Sequence, residues 1–74
     1  MNADFIKAAD ELEALLPDLE FSRTTHVQWR DCDQCWRDKN PSIGDAGFHD
    51  QCVRDYDLRI STIKKAVAVL RSAA

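Results

Sequence analysis

Two stretches of the chain carry apolar residues at helical spacing, and a third does not. In the first, Phe5, Ala8, Leu12, Leu15 and Leu19 recur at alternating steps of three and four, with Ile6, Ala9 and Leu16 widening the stripe. Asn2 is the natural N-cap and Asp4 suits the positive end of the helix dipole. Pro17 lacks an N–H and clashes with the preceding turn, so the spacing predicts a helix over about 3–16. Leu19 and Phe21 then pack from a less regular exit segment.

The last stretch has the clearest pattern. Val53, Tyr56, Ile60, Ile63, Val67, Leu70 and Ala74 form an unbroken heptad seam, suited to shallow left-handed helix packing. With Asp45 as N-cap and Arg71 at the C-terminal dipole end, it predicts a helix over about 46–72, roughly 40 Å long. Residues 22–47 show no such period. Ser22-Arg23-Thr24-Thr25 and Asn40-Pro41-Ser42-Ile43-Gly44-Asp45 are turn-rich flanks, and the segment between them reads as a loop organised from outside.

Charge sharpens this picture. Residues 1–21 hold six acids and one base, and residues 53–74 hold five bases and two acids. An acidic short helix and a basic long one pair best antiparallel, as a helical hairpin. The seam of the long helix outruns a partner ending near Leu16, so Ile60, Ile63, Val67 and Leu70 are expected either to meet a second copy of the chain in a homodimer or to be covered by Trp29 and Phe21 within one chain. The 74 residues make one domain, 1–74, whose small core calls for a metal or a partner. A net charge of −3 gives no general attraction to nucleic acid or anionic membrane. The N-terminus carries no signal-peptide pattern and no apolar run is long enough to span a membrane, so the expected location is cytoplasmic.

Candidate chemistry lies in the loop. Cys32-Asp33-Gln34-Cys35 and His49-Asp50-Gln51-Cys52 pair three thiols and an imidazole at x-x spacing. Zn²⁺ takes tetrahedral sulfur and nitrogen ligands, with Zn–S near 2.3 Å, and a reducing compartment keeps cysteines available as thiolates. Cys32, Cys35, His49 and Cys52 are therefore the expected ligands of a structural zinc ion. His26 competes with His49 for the fourth position, without an x-x-spaced partner of its own. A knuckle, a loop and a helix whose first turn supplies two ligands resemble a treble-clef zinc finger. That resemblance covers Cys32 to about Tyr56 and implies a zinc-organised, treble-clef-like loop within a mainly α chain.

Once Cys32, Cys35, His49 and Cys52 are assigned to zinc, Ser22, Thr24, Thr25 and His26 form no recognisable catalytic constellation, and a closed four-ligand zinc leaves no position for water. The chain is expected not to be an enzyme. The expected function is a small protein–protein interaction module, a regulator or inhibitor of a larger protein machine in the manner of phage-type inhibitors of host defence. Trp29, Arg30, Trp36, Arg37, Leu58 and Val69 are the expected partner-binding residues. The alternative is a zinc-finger regulator that grips DNA or RNA through the basic and aromatic residues around the knuckle, Arg30, Arg37 and Lys39 among them.

Overall fold

The computed structural model describes residues 2–74. Helix α1 runs Ala3–Glu13, α2 Leu16–Asp31, α3 Gln34–Lys39 and α4 Ala46–Ala73, with a single 3₁₀ turn at Pro41–Ile43. No strand occurs among the described residues. The chain is mainly helical, as its periodicities predict, and its two arms lie antiparallel along an elongated body whose Cα atoms span 56 × 15 × 13 Å.

The caps follow the sequence. The Asn2 side chain accepts from the backbone N–H groups of Asp4 and Phe5, and Asp45 accepts from Phe48 N–H at 2.7 Å. Asp33 caps α3 in the same way, accepting from Trp36 N–H at 2.8 Å. Each satisfies a donor that a helix start leaves open.

Pro17 acts differently from expectation. It sits in the first turn of α2, where a missing N–H costs nothing, and only the junction at Ala14–Leu15 is irregular. Both junction residues keep right-handed helical backbone angles, and Leu15 N–H bonds tightly back to the Leu12 carbonyl. The first arm therefore continues to Asp31. The expected helix over 3–16 becomes two helices in one line, and the expected loop from 22 loses its first ten residues to α2.

That extension changes what the seam meets. Along the first arm Ala9, Leu12, Leu16, Leu19, Arg23, His26 and Arg30 stand three and four apart, in step through Pro17. Ala9 is fully buried, Leu12, Leu16 and Leu19 are half-buried, and Leu15 is exposed. The stripe expected through Ala8 and Leu15 is thus turned by one position. Opposite it, Val53, Ile60 and Val67 are buried, and Ile63 and Leu70 are half-buried. The 28 residues of α4 face an arm of matching length, so the seam is covered within one chain. Of the four residues expected at a dimer contact, Ile60 and Val67 are buried in this seam and Ile63 and Leu70 are half-buried there.

Ion pairs mark the register. Arg71 bridges Asp10 and Glu13 at 3.0 and 3.3 Å, Lys64 reaches Glu20, Arg23 meets Asp57, and Arg30 meets Asp50 at 3.2 Å. The flanking carboxylates hold the Arg71 guanidinium above its ordinary pKa, chiefly through the hydrogen bond to Asp10. These contacts are exposed and add little stability, but they specify one antiparallel alignment out of several.

A large-to-small change on each side of α4 tests the assignment. Ile60→Ala should cost about 2–3 kcal/mol in a urea melt, whereas exposed Leu58→Ala should stay within ~0.5 kcal/mol. Equal costs would place the seam elsewhere.

Candidate functional site

Toward the loop the seam turns from aliphatic to polar and aromatic. Where the open end offers Leu12, Leu16 and Leu19, the closed end offers Arg23, His26 and Arg30 from α2, and His49 and Tyr56 from α4. His49 is 1% exposed and is the largest fully buried side chain. A buried imidazole needs partners for both ring nitrogens, and His49 has them. Its Nε2 lies 2.6 Å from the Ile43 carbonyl, and its Nδ1 lies 2.8 Å from Nδ1 of His26.

The carbonyl accepts only, so Nε2 of His49 carries the hydrogen. In the neutral ring Nδ1 is then an acceptor, and His26 Nδ1–H donates to it. One proton chain thus links α2, α4 and the loop. Tyr56 stacks on His26 at 5.7 Å, and Trp29 stands edge-on to His49 at 5.3 Å. Phe48 closes the third side, edge-on to His49 at 5.1 Å.

The loop is shaped to deliver that carbonyl. Gly44 adopts φ +93°, a left-handed conformation that L side chains resist, and an added Cβ would stand 3.3 Å from the Phe48 ring. Arg37 ties the loop to the end of α2. Its guanidinium donates to the Trp29 and Arg30 carbonyls and, at 3.4 Å, to that of Gly44. A cation at this place complements the negative end of the α2 dipole. Arg30 in turn binds Asp31 and Asp50. Its hydrogen bond holds the Asp31 carboxyl below the ordinary range, helped by the charges of Arg30 and Arg37 against some desolvation.

The four residues expected to bind zinc come from the end of α2, from α3 and from α4. Cys32 caps the end of α2 and its thiol donates to the Trp29 carbonyl at 3.0 Å. Cys35 is exposed in the first turn of α3, so the stretch from Cys32 to Cys35 spans the start of that helix. Cys52 is half-buried one turn beyond His49. Among the described residues no three His, Cys, Asp or Glu side chains stand close enough to hold one ion. Both nitrogens of His49 are engaged.

The residues expected to bind a partner divide in two. Arg30 and Arg37 are spent on internal contacts. Trp36 is 41% exposed, and it lines a shallow groove with Gln28, Trp29, Cys32 and Asp33 at the closed end. Leu58 and Val69 point outward from α4, at 68% and 67% exposure. The pairing of His26 with His49 and Tyr56 was not anticipated. Its signal was the three-and-four spacing continued through Pro17, which puts His26 on the seam.

Compared with protein-family models, curated proteins and solved structures, the chain matches none.

The histidine pair and the cysteines make opposite demands on stability. His49→Ala should cost about 2–4 kcal/mol and His26→Ala about 1–3 kcal/mol, since each removes a buried hydrogen bond and leaves a polar partner unpaired. Gly44→Ala should cost about 1–2 kcal/mol through its backbone conformation. Cys35→Ser, at an exposed position, should change the melting temperature little. One zinc per chain and a chelator-induced fall in melting temperature would instead require the cysteines to converge on an ion.

Proposed function

We propose that this chain is a small protein–protein interaction module, a regulator or inhibitor of a larger protein, and that its docking site is the groove between Trp29 and Trp36. The observation that carries the reading is an indole pair lining a groove on a small scaffold. Tryptophan is enriched among residues that dominate binding energy, because it buries much area with few rotatable bonds. Trp29 is held from behind by the histidine pair, so one wall of the groove is pre-organised. Asp33 stands on the rim, and the chain carries −3 overall. The matching partner surface is an apolar side chain flanked by basic residues.

The same contacts weigh against nucleic acid. Phosphate binding needs free cations, and of the candidate bases Arg30, Arg37 and Arg54 are engaged with Asp31, Asp50 and backbone carbonyls, which leaves Lys39 without an ion pair among the described residues. Arg59 leans over the Tyr56 ring at 5.5 Å. Among the described residues no helix is long and apolar enough to cross a membrane.

Capture from cell lysate on immobilised wild type and Trp36→Ala, with and without nuclease, tests the proposal. The expected result is a protein retained after nuclease treatment by wild type and lost by the variant, with equal helical circular dichroism for both. Capture that survives Trp36→Ala, or that disappears with nuclease, would remove it. Random duplex DNA should show no submicromolar binding near physiological salt.

A further inference from the structure

Both tryptophans of the chain line the one groove at its closed end, together with Gln28, Cys32 and Asp33. Its volume of about 360 Å³ holds one long side chain and not a helix. Trp29 is half-buried, edge-on to His26 and His49, while Trp36 is more open. Asp33 joins the second wall to the floor. Its Oδ1 accepts from the Trp36 backbone N–H at 2.8 Å, so the carboxylate and that indole are fixed side by side.

The charge in this lining has one sign. No Lys or Arg lines the groove, and Asp33 makes no ion pair among the described residues. The nearest bases are turned elsewhere, Arg30 to Asp31 and Asp50 and Arg37 to the Trp29, Arg30 and Gly44 carbonyls. An ionised carboxylate offers about four acceptor positions, and the Trp36 N–H uses one. Indole faces carry the negative part of the ring quadrupole. Two indoles and an unpaired carboxylate therefore present the same sign to whatever enters. An anion is repelled, and a purely apolar side chain would strip water from Asp33 without replacing it.

Resting on the docking role proposed for this groove, we infer that the side chain entering it is an arginine of the partner protein. Arginine answers each feature of the lining. Its aliphatic stem fills apolar space between the indoles, and its planar guanidinium stacks on an indole face. Its fork of N–H donors meets the acceptor positions left on Asp33 and the amide oxygen of Gln28. Lysine fits less well, because its compact ammonium holds water more strongly and has no plane to stack. One residue thus supplies both the apolar and the basic character that the groove selects. The bond from Asp33 to the backbone of Trp36, and the packing of Trp29 on the histidines, set both walls before the partner arrives.

Because the chain has no tryptophan outside the groove, its intrinsic fluorescence reads occupancy directly. The probes are blocked alanine pentapeptides whose central residue is arginine, lysine, trimethyl-lysine, citrulline or norleucine. The arginine peptide should give a saturable change with a Kd on the order of 1 mM. Citrulline, which keeps the shape and loses the charge, and norleucine should bind at least about fivefold more weakly, with both lysine forms also weaker than arginine. Asp33→Asn keeps the cap of α3, since asparagine caps as well as aspartate, and should weaken the arginine peptide at least about fivefold with unchanged helical circular dichroism. Trp36→Ala should abolish the response, with Trp29 still reporting. Citrulline, norleucine or trimethyl-lysine binding as tightly as arginine would overturn the inference. So would an arginine affinity indifferent to Asp33→Asn, or no saturable response up to about 20 mM. A lysate partner lost by Trp36→Ala and kept by Asp33→Asn removes the arginine but leaves the docking groove. A partner kept by both variants removes the groove and the arginine with it.

Discussion

Burial along one seam between two helical arms is the constraint on which every other feature of this chain depends. The arms contribute few fully buried side chains, Ala9 from the first and Val53, Ile60 and Val67 from α4. So narrow a core tolerates no slip. A shift of one position turns charged residues inward, and a shift of a whole turn mispairs Arg71 with its carboxylates. Small residues such as Ala9 let the helices approach, and the ion pairs along one face hold the alignment that the apolar contacts reward. Continuation of the first arm through Pro17 is therefore as important as any single contact, because it gives the α4 seam a partner along its whole length.

The closed end solves a different problem. A short connection must bring two helices back together, and backbone groups at their ends need partners. Arg37 gathers carbonyls from the end of α2, Asp45 accepts from the Phe48 N–H in the first turn of α4, and Gly44 turns the chain so that Ile43 reaches His49. The histidine pair then joins the two arms by a hydrogen bond inside an aromatic enclosure. A polar contact of this kind has one satisfying geometry, so it specifies the loop conformation more sharply than an aliphatic contact would. Function inherits that rigidity, since Trp29 stands at once against the histidines and on the wall of the groove.

Charge is distributed to match. The acids of the first arm and the bases of α4 meet across one face of the hairpin, while arginines near the loop are consumed by nearby carboxylates and carbonyls. Outside these pairs stand Glu11 and Asp18 on the first arm, the bases Lys7, Lys39 and Lys65, and apolar positions facing outward. That is a surface suited to other proteins more than to phosphate.

Local chemistry alone determined much of the secondary structure. Asn2 and Asp45 are caps because their side chains accept from nearby N–H groups whatever the tertiary fold, and the heptad spacing from Val53 to Ala74 specifies one long helix with one apolar face. The opposite charges of the two arms favour their pairing, and the short connection between α2 and α4 makes that pairing antiparallel. Three matters were decided elsewhere. Pro17 is compatible with ending a helix or with starting the next in the same line, and only packing against the far half of α4 favours the second. The stripe of the first arm was wide enough to bury either Leu15 or Leu16, and the position of α4 chose Leu16. Cysteine spacing could not reveal whether Cys32 to Cys35 forms a ligand-bearing turn or the start of α3. The same spacing serves both, and the outcome depends on where Arg37 and His49 find their carbonyl partners. Sequence periodicity reports which residues share a face; which face is covered, and by what, is a property of the assembled arms.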